Sequence, residues 1–194
     1  MEAVLALEDG GVFRGRAFGA PGERTGEVVF NTSMTGYQEV LTDPSYKGQM
    51  VVMTCPEIGN TGANPVDPES DRPQVEGFVV RECSRYSSNW RANQDLQQYL
   101  KEHGVVGVSE VDTRAITRRI RTQGTQKGVL STTDRDPESL VRKARAAPPL
   151  ESQDLVGRVT CDAAHDWSVG RDRRFAPSPA ESAGERRIRC VAYD

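Results

Sequence analysis

The stretch Asn31 to Gln49, NTSMTGYQEVLTDPSYKGQ, holds the densest set of side chains that could contact a ligand. Asp43 before Pro44 favours a turn that opens with the Asp side chain capping its own backbone, and Gly36 supplies a backbone free to take positive φ. Such a turn presents Ser45, Tyr46 and Lys47 at its tip: a hydroxyl, an aromatic with a polar end, and an ammonium. An ordinary surface turn has the same local sequence. A second concentration of chemistry is Arg114, Arg118, Arg119 and Arg121, suited either to phosphate binding or to a salt-bridged protein surface. Cys55 beside Pro56 could act as a nucleophile, but no histidine or basic cluster adjoins it in sequence, and a free cysteine is more often a small buried side chain. The segment Gly124 to Gly128, GTQKG, lacks the full spacing of a phosphate loop and follows a helical pattern instead of a strand.

Several chemistries are not expected. His103 and His165 lie near no cysteine or carboxylate pair at metal-ligand spacing, so no metal site is expected. Cys55, Cys83, Cys161 and Cys190 form no C-x-x-C pair, which fits a reduced, cytoplasmic protein. The 194 residues carry a net charge of -3 with 27% charged and 36% hydrophobic side chains, a balance that argues against nucleic-acid binding. No apolar run approaches the ~20 residues of a membrane span, and the N-terminus has no export signal.

The elements that must position these groups follow from periodicity. Val4 to Leu7 and Val12 to Phe18 read as an alternating hairpin around Glu8 to Gly11. Glu27 to Phe30 and Met50 to Met53 read as buried strands that flank the Asn31 to Gln49 stretch, which is expected to be a shaped loop surface and not core. Cys55 to Pro73 reads as a long loop, ordered or flexible, and Val75 to Val80 as a strand. Ser84 to Arg91 is a further loop with Trp90 exposed. Leu96, Tyr99 and Leu100 predict a short helix capped by Asn93 and closed at Gly104, followed by a strand over Val105 to Val108. Asp112 caps a helix with Ala115, Ile116 and Ile120 on its apolar face, the arginines opposite and Gly124 at its end. A strand over Gly128 to Ser131 and a helix from Asp136-Pro137 to Arg145 complete the pattern. Gly170 to Arg187 reads as an interdomain linker and Ile188 to Ala192 as the start of a strand, so the next domain is expected to be lacking. Read from the residues alone, this is a soluble domain with a presented turn and a basic helix.

Four stretches carry a resemblance further. GEVVFNTSMTGYQEVLTDPSYKGQ, PEIGNTGAN, SNWR and GVVGVSEVDTRAITRRIRTQGTQKGVL closely resemble, in order, the small subunit of glutamine-dependent carbamoyl-phosphate synthase, from near Val4 to about Thr160. The closing CVAYD is similar to the first strand of a class I glutamine amidotransferase domain. The resemblance implies an α/β fold: a three-layer β/β/α swivelling domain with mixed sheets and about three helices, over residues 1–150. Residues 151–187 would connect it to the amidotransferase domain beginning at 188–194. It implies a small subunit that hydrolyses glutamine and passes ammonia to a large subunit, which makes carbamoyl phosphate from bicarbonate and ATP for arginine and pyrimidine synthesis. The Cys-His-Glu triad of that chemistry belongs to the amidotransferase domain, and the nucleophile's G-x-C-x-G setting surrounds none of the four cysteines. No catalytic residue and no cofactor is therefore expected in this chain, with ATP and Mg acting in the large subunit. The family's glutamine contact maps onto Ser45, and Arg114, Arg118, Arg119 and Arg121 are implied as large-subunit interface. Cys55 departs from the family, which often has an aromatic there.

Overall fold

The computed structural model describes residues 1–168 and 189–192. Residues 1–155 form one compact unit, and the described residues from 156 onwards belong to a second. In the first, β1 (Glu2–Leu7), β2 (Val12–Gly19) and β3 (Glu23–Asn31) are followed by α1 (Tyr37–Thr42), a 3₁₀ turn (Pro44–Tyr46) and β4 (Gln49–Met53). Then come β5 (Glu57–Ile58), β6 (Gly77–Val79), β7 (Glu82–Cys83), α2 (Leu96–Glu102), β8 (Val106–Ser109), α3 (Thr113–Gln123), β9 (Gln126–Ser131) and α4 (Pro137–Ala146). Among the described residues the second unit contains one short helix, α5 (Val156–Val159). No described helix is long and apolar enough to cross a membrane.

Seven strands close into a mixed barrel in the order β1-β2-β8-β6-β4-β3-β9, and β5 pairs with β7 in a separate ribbon. Closure depends on β9, which runs antiparallel to both β1 and β3: Leu130 is paired with Leu5 on one side and with Arg24 on the other. The α/β class with mixed sheets expected from the sequence holds, with seven of the strands closing into one continuous sheet. Closure leaves none of the seven strands with an open edge.

The period-2 alternation of strand side chains divides the core in two. Leu5, Val28, Met50, Val79, Val108 and Leu130, from six strands, share one cluster, with Phe13 and Ala17 of β2 packed against it, so this cluster is the barrel interior. Val51, Met53 and Phe78 point the other way and are covered by Tyr37 and Leu41 of α1 and Leu96, Tyr99 and Leu100 of α2. Val4, Ala6 and Val129 are covered by Leu140 and Ala144 of α4. β1 is therefore buried on both faces, with Ala3 to Leu7 all at 0% exposure. Its sequence AVLAL reflects that and does not alternate as expected, whereas β2 does.

Helix α3 joins the interior cluster through Ile116 and Ile120. Ala115, expected on this apolar face, is exposed, and Thr113 is buried in its place. The reason is angular: at ~100° per residue, positions 113, 116 and 120 share a stripe that 115 misses. Asp112 caps α3 by accepting from the Ala115 N–H at 2.9 Å, and Asp136 caps α4 by accepting from Ser139 N–H at 3.0 Å. The cap of α2 is Asp95, whose Oδ1 accepts from Gln98 N–H at 2.8 Å, and not Asn93. Asn93 instead joins the pairing with Ala63, its N–H donating to the Ala63 carbonyl. The linker expected over Gly170 to Arg187 lies outside the described residues. Arg189–Ala192, expected to begin a strand, have no regular structure and are exposed, having no ladder partner among the described residues.

Candidate functional site

The Asn31 to Gln49 stretch is not wholly loop. Tyr37, Val40 and Leu41 fall at i, i+3 and i+4, and they seat α1 in the outer core with Tyr37 and Leu41 almost fully buried. Gly36 opens this helix in the left-handed region at φ 77. The loop after β4 is ordered by α1: Gln38 Nε2 donates to the Asn64 carbonyl at 2.7 Å and Gln38 Oε1 accepts from Asn64 N–H at 2.9 Å. Further along, Ser70 Oγ donates to the Thr42 carbonyl at 2.6 Å. A buried helix thus forms the base from which the DPSY turn projects.

The turn itself is over-determined. Asp43 Oδ1 accepts from the Ser45 N–H at 2.8 Å and from Ser45 Oγ at 2.7 Å. Asn31 Nδ2 donates to the Tyr46 hydroxyl at 3.0 Å, and Lys47 Nζ lies 3.6 Å from Glu76. Gly48 ends the turn at φ +81, where a Cβ would sit 2.7 Å from Leu150 Cδ1. Of the three tip residues expected to be presented, only Ser45 is exposed; Tyr46 and Lys47 are half-buried and already engaged. Because a carboxylate only accepts, the Ser45 hydroxyl proton is committed inward and its lone pairs face outward. Ser45 Oγ is therefore placed to accept, not to donate, a further hydrogen bond from outside the turn.

The arginines of α3 separate into two kinds. Arg119 Nε is bonded to Asp9 at the β1–β2 turn, which ties α3 to the hairpin. Partial burial pushes the Asp9 carboxyl up, but hydrogen bonds from Arg119, the Gly11 N–H and Gln126 outweigh it and hold its pKa below the ordinary aspartate value. Arg114, Arg118 and Arg121 are exposed. They line a groove of about 400 Å³ with Thr117, facing Pro56 and Arg81. Arg81 is a member of this group that sequence reasoning missed, since it follows β6 and only the barrel brings it beside α3. No signal in its local sequence reveals it.

Elsewhere the structure offers little chemistry. Cys55 is half-buried, with its thiol donating to the Glu57 carbonyl at 3.5 Å. Burial, reinforced by the charge of Asp95, pushes the Cys83 thiol up to about 11, so it stays protonated and unreactive. His103 is occupied against Tyr99, its ring 4.3 Å from the tyrosine ring. Among the described residues no group of three His, Cys, Asp or Glu side chains could hold a metal. A larger groove of about 960 Å³ beside Phe18 mixes Arg16, Arg81 and Arg85 with Glu57, Glu82 and Glu110.

The sequence model of the carbamoyl-phosphate synthase small chain, CPSase domain, matches residues 5–130. The carbamoyl phosphate synthase small chain of Syntrophotalea carbinolica is 55% identical over 194 residues, all of this chain and 51% of that protein. The protein of the same name from Aquifex aeolicus is 56% identical over 168 residues, 87% of this chain and 45% of that one. The chain thus spans about half the length of these relatives. The chain belongs to the carbamoyl-phosphate synthase small chain family.

Proposed function

We propose that this chain is the amino-terminal domain of a glutamine-hydrolysing carbamoyl-phosphate synthase small chain, acting as scaffold, as docking surface for the large subunit and as donor of one glutamine contact. In this reading the whole small chain releases ammonia from glutamine, and the large subunit uses it with bicarbonate and ATP to form carbamoyl phosphate for arginine and pyrimidine synthesis. ATP and Mg act in the large subunit, and the assembly works in the cytoplasm. The chain alone is inactive, since none of its cysteines has the nucleophile's setting. The observation that carries the reading is Ser45, exposed on a turn whose other polar groups are spent on holding it. With its O–H donating to Asp43, Ser45 accepts from an N–H of glutamine and positions the amino-acid end, while the other domain does the chemistry.

The test is glutamine hydrolysis by the full-length small chain carrying Ser45→Ala. One hydrogen bond nets ~0.5–1.5 kcal/mol, so the KM for glutamine is expected to rise ~2- to 10-fold with kcat little changed. An unchanged KM removes Ser45 from the site. Glutaminase activity from the present chain alone contradicts the scaffold role.

A further inference from the structure

We propose that the groove between α3 and Arg81 receives an extended acidic segment of the protein partner, one with carboxylates at alternate positions. This rests on the docking role proposed above and specifies what enters the groove. Four observations carry it. First, the ion pairs among the described residues include none for Arg81, Arg114, Arg118 or Arg121, whereas Arg119 is spent on Asp9. Second, the groove has no carboxylate in its lining, in contrast to the larger groove that shares Arg81, where Glu57, Glu82 and Glu110 are present. Four unneutralised guanidinium groups around one concavity are electrostatically unfavourable until an anion arrives. Third, Thr117 in the same lining keeps a buried hydroxyl that has no hydrogen-bond partner among the described residues.

The fourth observation concerns spacing and decides between a peptide and a small anion. Arg114, Arg118 and Arg121 stand at i, i+4 and i+7 on one helix face, a rise of ~10 Å at ~1.5 Å per residue. A single phosphate or carboxylate group is far shorter than that. An extended chain rises ~3.3 Å per residue and repeats a side-chain direction every second residue, placing successive carboxylates ~6.6 Å apart. That step is close to the ~6 Å from Arg114 to Arg118 along the helix. The planar guanidinium fork suits bidentate pairing with each carboxylate.

The test uses the full 194-residue chain. It is titrated calorimetrically with a blocked peptide of alternating Asp and Ser, with the same residues in a block sequence, and with inorganic phosphate, and separately with the large subunit. The variants are Arg114→Glu/Arg118→Glu and, as a charge reversal outside the groove on exposed α4, Arg142→Glu. The alternating peptide is expected to bind at least 10-fold tighter than phosphate and tighter than the block peptide. Arg114→Glu/Arg118→Glu should weaken peptide and large subunit at least 10-fold each, and Arg142→Glu less than 2-fold. Phosphate binding as tightly as the peptide overturns the proposal in favour of a small-anion site. Equal losses from Arg142→Glu overturn it in favour of unspecific charge attraction. If large-subunit binding falls in the α3 variant while the peptide never binds, the acidic-segment assignment is wrong and the docking role stands. If the large subunit binds equally well to wild type and α3 variant, both fail.

Discussion

The DPSY turn and the α3 groove lie on the same barrel and are built in opposite ways. In the turn nearly every polar group is spent on its neighbours: Asp43 holds Ser45, Asn31 holds Tyr46 and Lys47 faces Glu76. One acceptor is left outward. In the groove the reverse holds, with Arg81, Arg114, Arg118 and Arg121 in no ion pair among the described residues. The first arrangement suits positioning a small substrate, where geometry matters most. The second suits capturing a charged surface, where long side chains adapt and long-range attraction speeds the encounter.

The contrast can be broken from the inside outwards. Ile116→Ala removes a fully buried side chain that seats α3 against the barrel interior and should cost ~2–5 kcal/mol. Arg118→Ala, two positions away on the exposed face, should stay within ~0.5 kcal/mol. Denaturant midpoints of the two variants check this, and equal values would mean that α3 is not held by its apolar stripe. At the turn, Gly48→Ala combines positive φ with a close approach to Leu150, so a loss of ~1–3 kcal/mol is expected. Asp43→Ala removes the cap and should cost ~0.5–2 kcal/mol. Ser45→Ala removes only an exposed hydroxyl and should cost less than ~0.5 kcal/mol. Thermal melts of the three variants give the order, and the turn's rigidity is disproved if Asp43→Ala melts like wild type.

A weaker effect is set by pH. Hydrogen bonds from Ser139, Lys143 and the Asp136 N–H hold the Asp134 carboxyl well below the usual carboxylate range. Asp9 is lowered too: burial alone would raise it, but its hydrogen bonds, led by the one from Arg119, prevail. Both pKa values are depressed on folding, so the stability they contribute is present above about pH 4 and lost as pH falls below it. Lys143 is raised by its hydrogen bonds to Glu23 and Asp134, so its contribution is present below about pH 10 and lost above. Melting temperature should therefore fall in acid more steeply for wild type than for Asp134→Asn. Parallel acid profiles would refute the assignment.

Local chemistry was legible in the sequence where it acts at short range. The Asp112 and Asp136-Pro137 helix starts, the β1–β2 hairpin and the left-handed Gly104 at φ 69 follow from a few neighbouring residues. The Asp43 turn was legible for the same reason. Helix α1 was hidden by its turn-forming flanks, although Tyr37, Val40 and Leu41 already had helical spacing. The cap of α2 was misread because Asn93 and Asp95 are both good caps, and the pairing of Asn93 with Ala63 that decides between them is long-range. Barrel closure through β9 depends on pairings about a hundred residues apart in sequence, and the arrival of Arg81 beside α3 on the parallel pairing of β6 with β8, neither of which a local pattern encodes.

The most direct test of this division of labour reads both regions in one full-length small chain. Glutamine KM and large-subunit Kd are measured for wild type, Ser45→Ala and Arg114→Glu/Arg118→Glu. The account predicts a crossed pattern: Ser45→Ala raises KM ~2- to 10-fold and leaves Kd unchanged. The arginine variant raises Kd at least 10-fold and leaves the KM of the free small chain unchanged. A parallel change of both constants in either variant would contradict it.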